Sequence, residues 1–204
     1  LSHTGSLAGR YELYNSAFAQ AGVITTNSLI ELFDVAKALA LQSPPCGNRI
    51  AVTSTVAGPA LISTDICESN GLCITRFSPE TQRRLNELIP PIVVRTNPVD
   101  WANSIEVIEA ILKDENVDIL LSLFIFYTET VLRLPSREIV ELAKLCPKPV
   151  VIGARAPRNM WRDEIAELEE NNIPVYPVPE RAARAAIGLV NYGEILKEVG
   201  EIHQ

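Results

Sequence analysis

Apolar positions along this chain follow two rhythms, a helical period in its first forty residues and an alternation of short apolar runs with helical stretches after that. Tyr11, Tyr14, Phe18 and Ala21 recur at helical spacing, and Gly22 ends the run. Val23-Ile24-Thr25-Thr26 is a short β-prone piece. Asn27 or Ser28 then caps a second helix, with Leu29, Leu32, Phe33, Ala36, Leu39 and Ala40 on one stripe and Glu31 in its first turn. Gln42-Ser43-Pro44-Pro45-Cys46-Gly47-Asn48 has the composition of a linker.

After the linker the pattern predicts strands over 49–54, 73–75, 117–124, 149–152 and 175–176. Helices are expected over 59–70, 79–88, 104–113, 136–145, 160–171 and 179–199. Ile119-Leu120-Leu121-Ser122-Leu123 and Val150-Val151-Ile152 are nearly unbroken apolar runs, as strands covered on both faces are. Right-handed crossovers then leave a flavodoxin-like α/β fold, a parallel five-stranded sheet of order 2-1-3-4-5. Residues 1–42 hold too few strands for a sheet and read as the C-terminal part of a second α/β domain that begins upstream of Leu1. The expected division is therefore 1–42, a linker at 43–48, and a flavodoxin-like domain at 49–204.

At 204 residues and 47% hydrophobic content, the chain can bury a good-sized core. A net charge of −7 argues against nucleic acid and anionic membranes as partners. The four cysteines, Cys46, Cys67, Cys73 and Cys146, have neither Cys-X-X-Cys nor zinc-like spacing. Free thiols, no metal site and a reducing, cytoplasmic location are expected. The longest apolar stretch, Val117 to Tyr127, is interrupted by Asp118 and Ser122 and falls well short of the ~20 residues a bilayer requires. No basic region followed by an apolar run opens the chain as a secretory signal would.

The candidate chemistry starts at Ser2-His3-Thr4-Gly5-Ser6-Leu7-Ala8-Gly9, where an imidazole sits among small residues just before a helix. A histidine that accepts a phosphoryl group needs a neutral ring nitrogen, room for phosphate oxygens, and backbone N–H groups to meet their charge. Further candidates converge where ligands bind in open parallel sheets, beyond the carboxyl ends of the strands. They are Thr53-Ser54-Thr55-Val56-Ala57-Gly58-Pro59, Asn97-Pro98-Val99-Asp100-Trp101, Phe126-Tyr127-Thr128 and Gly153-Ala154-Arg155. In the first, Pro59 suits the first helical position and unpaired N–H groups there favour an anion. No Gly-Lys-Ser or Gly-Lys-Thr follows, so it is not a Walker loop.

Blander readings stand beside these. A terminal histidine is ordinarily a solvated loop residue, and Gly58-Pro59 is ordinary turn chemistry. Asn97 and Asp100 suit caps of a following helix, Arg155 a solvated surface, and Trp101 and Trp161 packing. Glu169-Glu170, Arg83-Arg84 and Lys113-Asp114-Glu115 read as solvated helix faces or ends, and His203 as tail.

The histidine segment, Ala21-Gly22-Val23-Ile24, Glu31-Leu32-Phe33-Asp34, Gly47-Asn48-Arg49-Ile50-Ala51-Val52, Ala57-Gly58-Pro59, Asn97-Pro98-Val99-Asp100 and Asn116-Val117-Asp118 occur in this order. Together they resemble the NDP-forming acyl-CoA synthetases, the ADP-forming acetyl-CoA synthetase type related to succinyl-CoA synthetase. The resemblance covers the whole chain. It implies a reversible ligase that interconverts acyl-CoA, phosphate and ADP with the free acid, CoA and ATP, these being substrates and no cofactor being bound permanently. By motif His3 would carry the phosphoryl group. Thr4, Gly5, Ala57 and Gly58 would bind phosphate, with Asn97, Asp100 and Arg155 as possible crevice residues. Partners implied are CoA-binding and ATP-grasp domains or subunits, with Mg2+ at the ATP-grasp site outside this chain, small-molecule acyl-CoA, and an oligomeric assembly.

The family's usual Asn-Ala-Gly-Gly-Pro is here Thr55-Val56-Ala57-Gly58-Pro59, which removes one glycine and one amide. The alternative reading is a non-catalytic acyl-CoA-sensing module of a synthetase-like fusion protein, which the presence of His3 opposes. A flavodoxin-like electron carrier or receiver domain lacks the flavin-type loop and the acidic pocket it would need.

Overall fold

The structure, a computed structural model, describes residues 10–126, 133–157, 160–198 and 200. His3, Thr4, Gly5, Tyr127, Thr128 and His203 lie outside the described residues. The order of elements is α1 (Tyr11–Gln20), α2 (Leu29–Leu41), β1 (Arg49–Ser54), α3 (Ala57–Ser69), β2 (Cys73–Ile74), α4 (Pro79–Leu88), α5 (Ile105–Lys113), β3 (Ile119–Ile125), α6 (Ser136–Leu145), β4 (Val150–Arg155), α7 (Arg162–Glu170), β5 (Val175–Tyr176) and α8 (Pro179–Glu198). The strands form one all-parallel sheet of order β2-β1-β3-β4-β5, the order the alternation predicted.

The strand period of two divides the core between two faces. Ile50, Val52, Ile119, Leu121, Leu123 and Ile125 face α3 and α8, while Ala51, Leu120 and Phe124 face the layer of α4, α5, α6 and α7. Every residue of β3 is buried, which is why its sequence is a continuous apolar run. The one polar residue in it, Ser122, lies opposite Thr53 and accepts a 2.7 Å hydrogen bond from the Thr53 hydroxyl. Pairing the two hydroxyls removes most of the cost of burying them.

Helix α2 begins with a reciprocal cap. The Glu31 N–H donates to the Ser28 hydroxyl, and the Glu31 carboxylate accepts from the Asn27 N–H. Its inner face joins the core of the sheet: Ala38 is fully buried there, and Val35 fits a notch at Gly188 of α8 where a Cβ would lie 2.7 Å from Val35 Cγ1. Polar contacts fasten the same seam. Arg181 donates two hydrogen bonds of 2.6 and 2.7 Å to Asp34, and the Tyr176 hydroxyl donates to the Asp34 carbonyl. Lys37 pairs with Glu169 and lies 4.3 Å from the centre of the Tyr176 ring.

Several local expectations change. No strand forms over 23–26, because a β-prone tetrapeptide without a neighbouring strand has no ladder to join. The 43–48 linker is held down: the Lys197 ammonium donates to the Cys46 carbonyl, and Pro45 packs where a Cβ on Gly193 would lie. Helix α3 starts at Ala57, so Pro59 is its third residue and not its first. Proline is tolerated there because the first helical N–H groups have no partner within the helix. Asp114 is no solvated helix end. It is 2% exposed, and its carboxylate accepts from the N–H groups of Ser78 and Asn116.

Candidate functional site

At the carboxyl edge of the sheet, β1 passes through Thr55 and Val56 into α3, and both flanks of this turn are held. On the β3 side, the Thr55 N–H donates to the Leu123 carbonyl, and the Thr55 hydroxyl accepts from the Ile125 N–H at 3.1 Å and donates to its carbonyl at 3.2 Å. The Ser54 hydroxyl donates to the Val56 carbonyl and accepts from its N–H. Val56 is extended (φ −148°, ψ 142°), and no side chain caps α3.

The N–H groups of Ala57 and Gly58 consequently have no acceptor among the described residues. Ala57 and Gly58 are exposed, and a Cβ on Gly58 would meet nothing within 4 Å. A helix end with free donors carries a partial positive charge and favours an anion. The turn thus leaves two helix N–H groups open to solvent, although Thr55-Val56-Ala57-Gly58-Pro59 has only one glycine.

Asn97 and its neighbours line the other flank. Asn97 precedes a cis peptide bond to Pro98, and its side chain does not cap a helix. The Asn97 carboxamide accepts from the Val52 N–H and donates to the carbonyls of Ile50 and Thr75. Val99 then runs parallel to Thr53 as a continuation of the sheet edge. Asp100 is half-buried beside the end of β1, its N–H donating to the Val94 carbonyl. Arg155 is exposed at the end of β4, and its carbonyl accepts from the Phe126 N–H.

The structure thus brings Ala57, Gly58 and Asp100 to the end of β1, Asn97 to the middle of that strand's edge, and Arg155 to the carboxyl edge of the sheet two strands away. The two tryptophans pack: Trp161 is buried edge-on to Phe126 at 5.3 Å, and Trp101 is half-buried against the same core. Cys67, on the inner side of α3, has its thiol pushed up to about 12 by burial and is no nucleophile at neutral pH. Among the described residues no three His, Cys, Asp or Glu side chains gather as a metal site, and no helix is long and apolar enough to cross a membrane. Sequence reasoning missed the brackets formed by Thr55 and Ser54, whose only signal is the hydroxyl run Thr53-Ser54-Thr55.

Residues 1–39 match the family described as "Succinyl-CoA ligase like flavodoxin domain". That match covers the histidine segment, α1 and most of α2. The acetate–CoA ligase (ADP-forming) II subunit alpha of Pyrococcus furiosus is 32% identical over 93% of this chain and 43% of its own length. The acetate–CoA ligase (ADP-forming) I of Archaeoglobus fulgidus is 33% identical over 95% of this chain and 28% of its own. Among solved structures, the acetyl-coenzyme A synthetase 1 of Ca. Korarchaeum cryptofilum, in complex with phosphate and ADP, superposes with a TM-score of 0.83. It is 31% identical and covers 98% of this chain and 45% of its own. The chain therefore spans less than half the length of each of these relatives. Along almost its whole length, it is homologous to a segment of the ADP-forming acetyl-CoA synthetases.

Proposed function

We propose that this chain is the histidine-bearing and ligase portion of an ADP-forming acyl-CoA synthetase, working through a phosphohistidine relay. The observation that carries the reading is an uncapped helix end at the carboxyl edge of the sheet, in a chain alignable over 93% of its length with an ADP-forming acetate–CoA ligase subunit. Phosphate attacks the thioester carbonyl, CoA leaves as thiolate, and an acyl phosphate results. A neutral ring nitrogen of His3 then attacks phosphorus and releases the carboxylate. An ADP oxygen takes the phosphoryl group from the histidine in turn, giving ATP and the free imidazole. Splitting the transfer in this way lets one phosphoryl group serve two separated sites without reaching water.

In this reading the N–H groups of Ala57 and Gly58, with Thr4 and Gly5, hold phosphate oxygens, and Asp100 and Arg155 border the crevice. Residues 1–42 close the phosphohistidine domain and 49–204 form the ligase domain. The apolar outer face of the first two helices supports that part: α1 buries no side chain, and Leu29, Ile30 and Phe33 of α2 are exposed. The CoA and nucleotide sites, with the Mg2+ the latter requires, belong to other domains or subunits of a cytoplasmic, oligomeric assembly.

Labelled ATP given to the full-length protein with its nucleotide-binding partner is expected to leave acid-labile label on His3, and His3→Asn is expected to abolish both label and turnover. Persistence of label in that variant would refute the relay. A second test addresses the helix end. Ala57→Pro removes one donor N–H at the first helical position, where proline fits and the extended Val56 is compatible with it. Loss of one charge-assisted hydrogen bond is expected to raise the KM for phosphate about tenfold or more. An unchanged phosphate KM would remove this turn from the site.

A further inference from the structure

Strand β2 pairs with β1 only at Arg49 and Ile50, so the carboxyl half of β1 would otherwise be a bare edge. The segment 97–102 occupies that edge. The Val99 N–H donates to the Val52 carbonyl, the Ser54 N–H to the Val99 carbonyl, and the Ala102 N–H to the Ser54 carbonyl. Between β2 and this substitute strand lies a gap of one peptide unit, and the Asn97 carboxamide fills it. Its oxygen takes the Val52 N–H at 2.9 Å, while its nitrogen donates to the Ile50 carbonyl at 2.8 Å and the Thr75 carbonyl at 3.0 Å. One acceptor and two donors on a short planar group are what an asparagine offers and an aspartate does not.

We infer that Asn97 is a positioning residue for the phosphate-binding turn, completing the edge of β1 so that Ser54 and the amino end of α3 are held in place. The connection is continuous. Asn97 fixes Val52, residues 99–102 clamp Ser54 through its backbone, the Ser54 hydroxyl holds Val56, and Val56 precedes the exposed donors of Ala57 and Gly58. This rests on the reading that α3 receives phosphate. It adds that a residue with no ligand contact sets the aim of that site.

The test uses the full-length protein with its nucleotide-binding partner. KM values for phosphate and for ADP are measured in the direction of ATP formation, alongside the melting temperature. Asn97→Asp keeps the size of the side chain and replaces the two donated hydrogen bonds with repulsion from the same carbonyls. A misaimed site of this kind is expected to raise the phosphate KM by about tenfold to a hundredfold, with the ADP KM within about twofold of its starting value. Leu85→Ala, a core change in α4, serves as the stability control. It is expected to lower the active fraction while leaving both KM values in place. Asn97→Ser, which keeps a donor and an acceptor, is expected to show a smaller split of the same sign and answers the question if the aspartate variant does not fold.

If Asn97 variants move both constants together, or neither, while Ala57→Pro raises the phosphate KM, the positioning role is overturned and the phosphate site stands. If Ala57→Pro also leaves the phosphate KM unchanged, the site falls and Asn97 with it.

Discussion

Asp118 is subject to two opposing influences. Burial works against its ionisation, but hydrogen bonds from the Arg49 backbone N–H and guanidinium at 2.8 to 2.9 Å hold its carboxyl below the usual carboxylate range. The pair lies at the amino edge of the sheet, where β1 and β3 begin, and it explains Gly47: a Cβ there would come within 2.3 Å of Asp118 Oδ2. A carboxylate with a depressed folded pKa stabilises the fold above its unfolded value near 4, and that stabilisation is lost as pH falls through the folded value. Asp118→Asn is therefore expected to cost about 1–3 kcal/mol at neutral pH, and the gap from the parent protein should close on acidification below pH ~4. Chemical denaturation at a series of pH values checks this; a gap independent of pH would be the contrary result. The sequence showed Asp118 as an interruption in an apolar run and as part of the Asn116-Val117-Asp118 motif, but gave it no partner, because that partner lies 69 residues away.

Among the elements, the strands and helices after residue 48 were legible because their signals are local. The helical spacing, the unbroken runs of β3 and β4 and the proline and serine starts of α4 and α6 each lie within a dozen residues. Helix α2 was legible as a helix and not as a member of the sheet's core. Its anchors, Arg181 on Asp34 and Gly188 beneath Val35, lie about 150 residues along the chain and leave no periodic trace. Gly188→Ala should therefore be harmful in a helix, where alanine is ordinarily the better residue. The added methyl meets Val35 and is expected to lower stability by about 1–3 kcal/mol. A smaller neighbour should restore part of it, so thermal melts of Gly188→Ala with and without Val35→Ala supply the check. The site shows the same division. Ala57 and Gly58 could be picked out at a strand-to-helix junction, whereas the use of Asn97 as a piece of the sheet depends on β2 stopping two residues in, which no local pattern announces.

On the scale of the whole molecule, the chain presents a helix end whose exposed N–H donors favour an anion, within a protein of net charge −7. The attraction is therefore local, from oriented peptide groups, and its range in physiological salt is limited to about a Debye length of 8 Å. Elsewhere, a groove of about 900 Å³ between α4 and α5 carries both signs of charge, and two of its cations are paired within their own helices, Arg84 with Glu87 and Lys113 with Glu109. Such self-neutralised surfaces have little pull on a ligand.

The seam between α2 and α8 also decides where this protein can be cut. Truncation at Asn48, the boundary that the prolines advertise, would strand Arg181 and Arg184 without their acidic partners and uncover the notch that Val35 fills. The shortest fragment that keeps its own interior starts instead at Asn27, with the Ser28 cap intact.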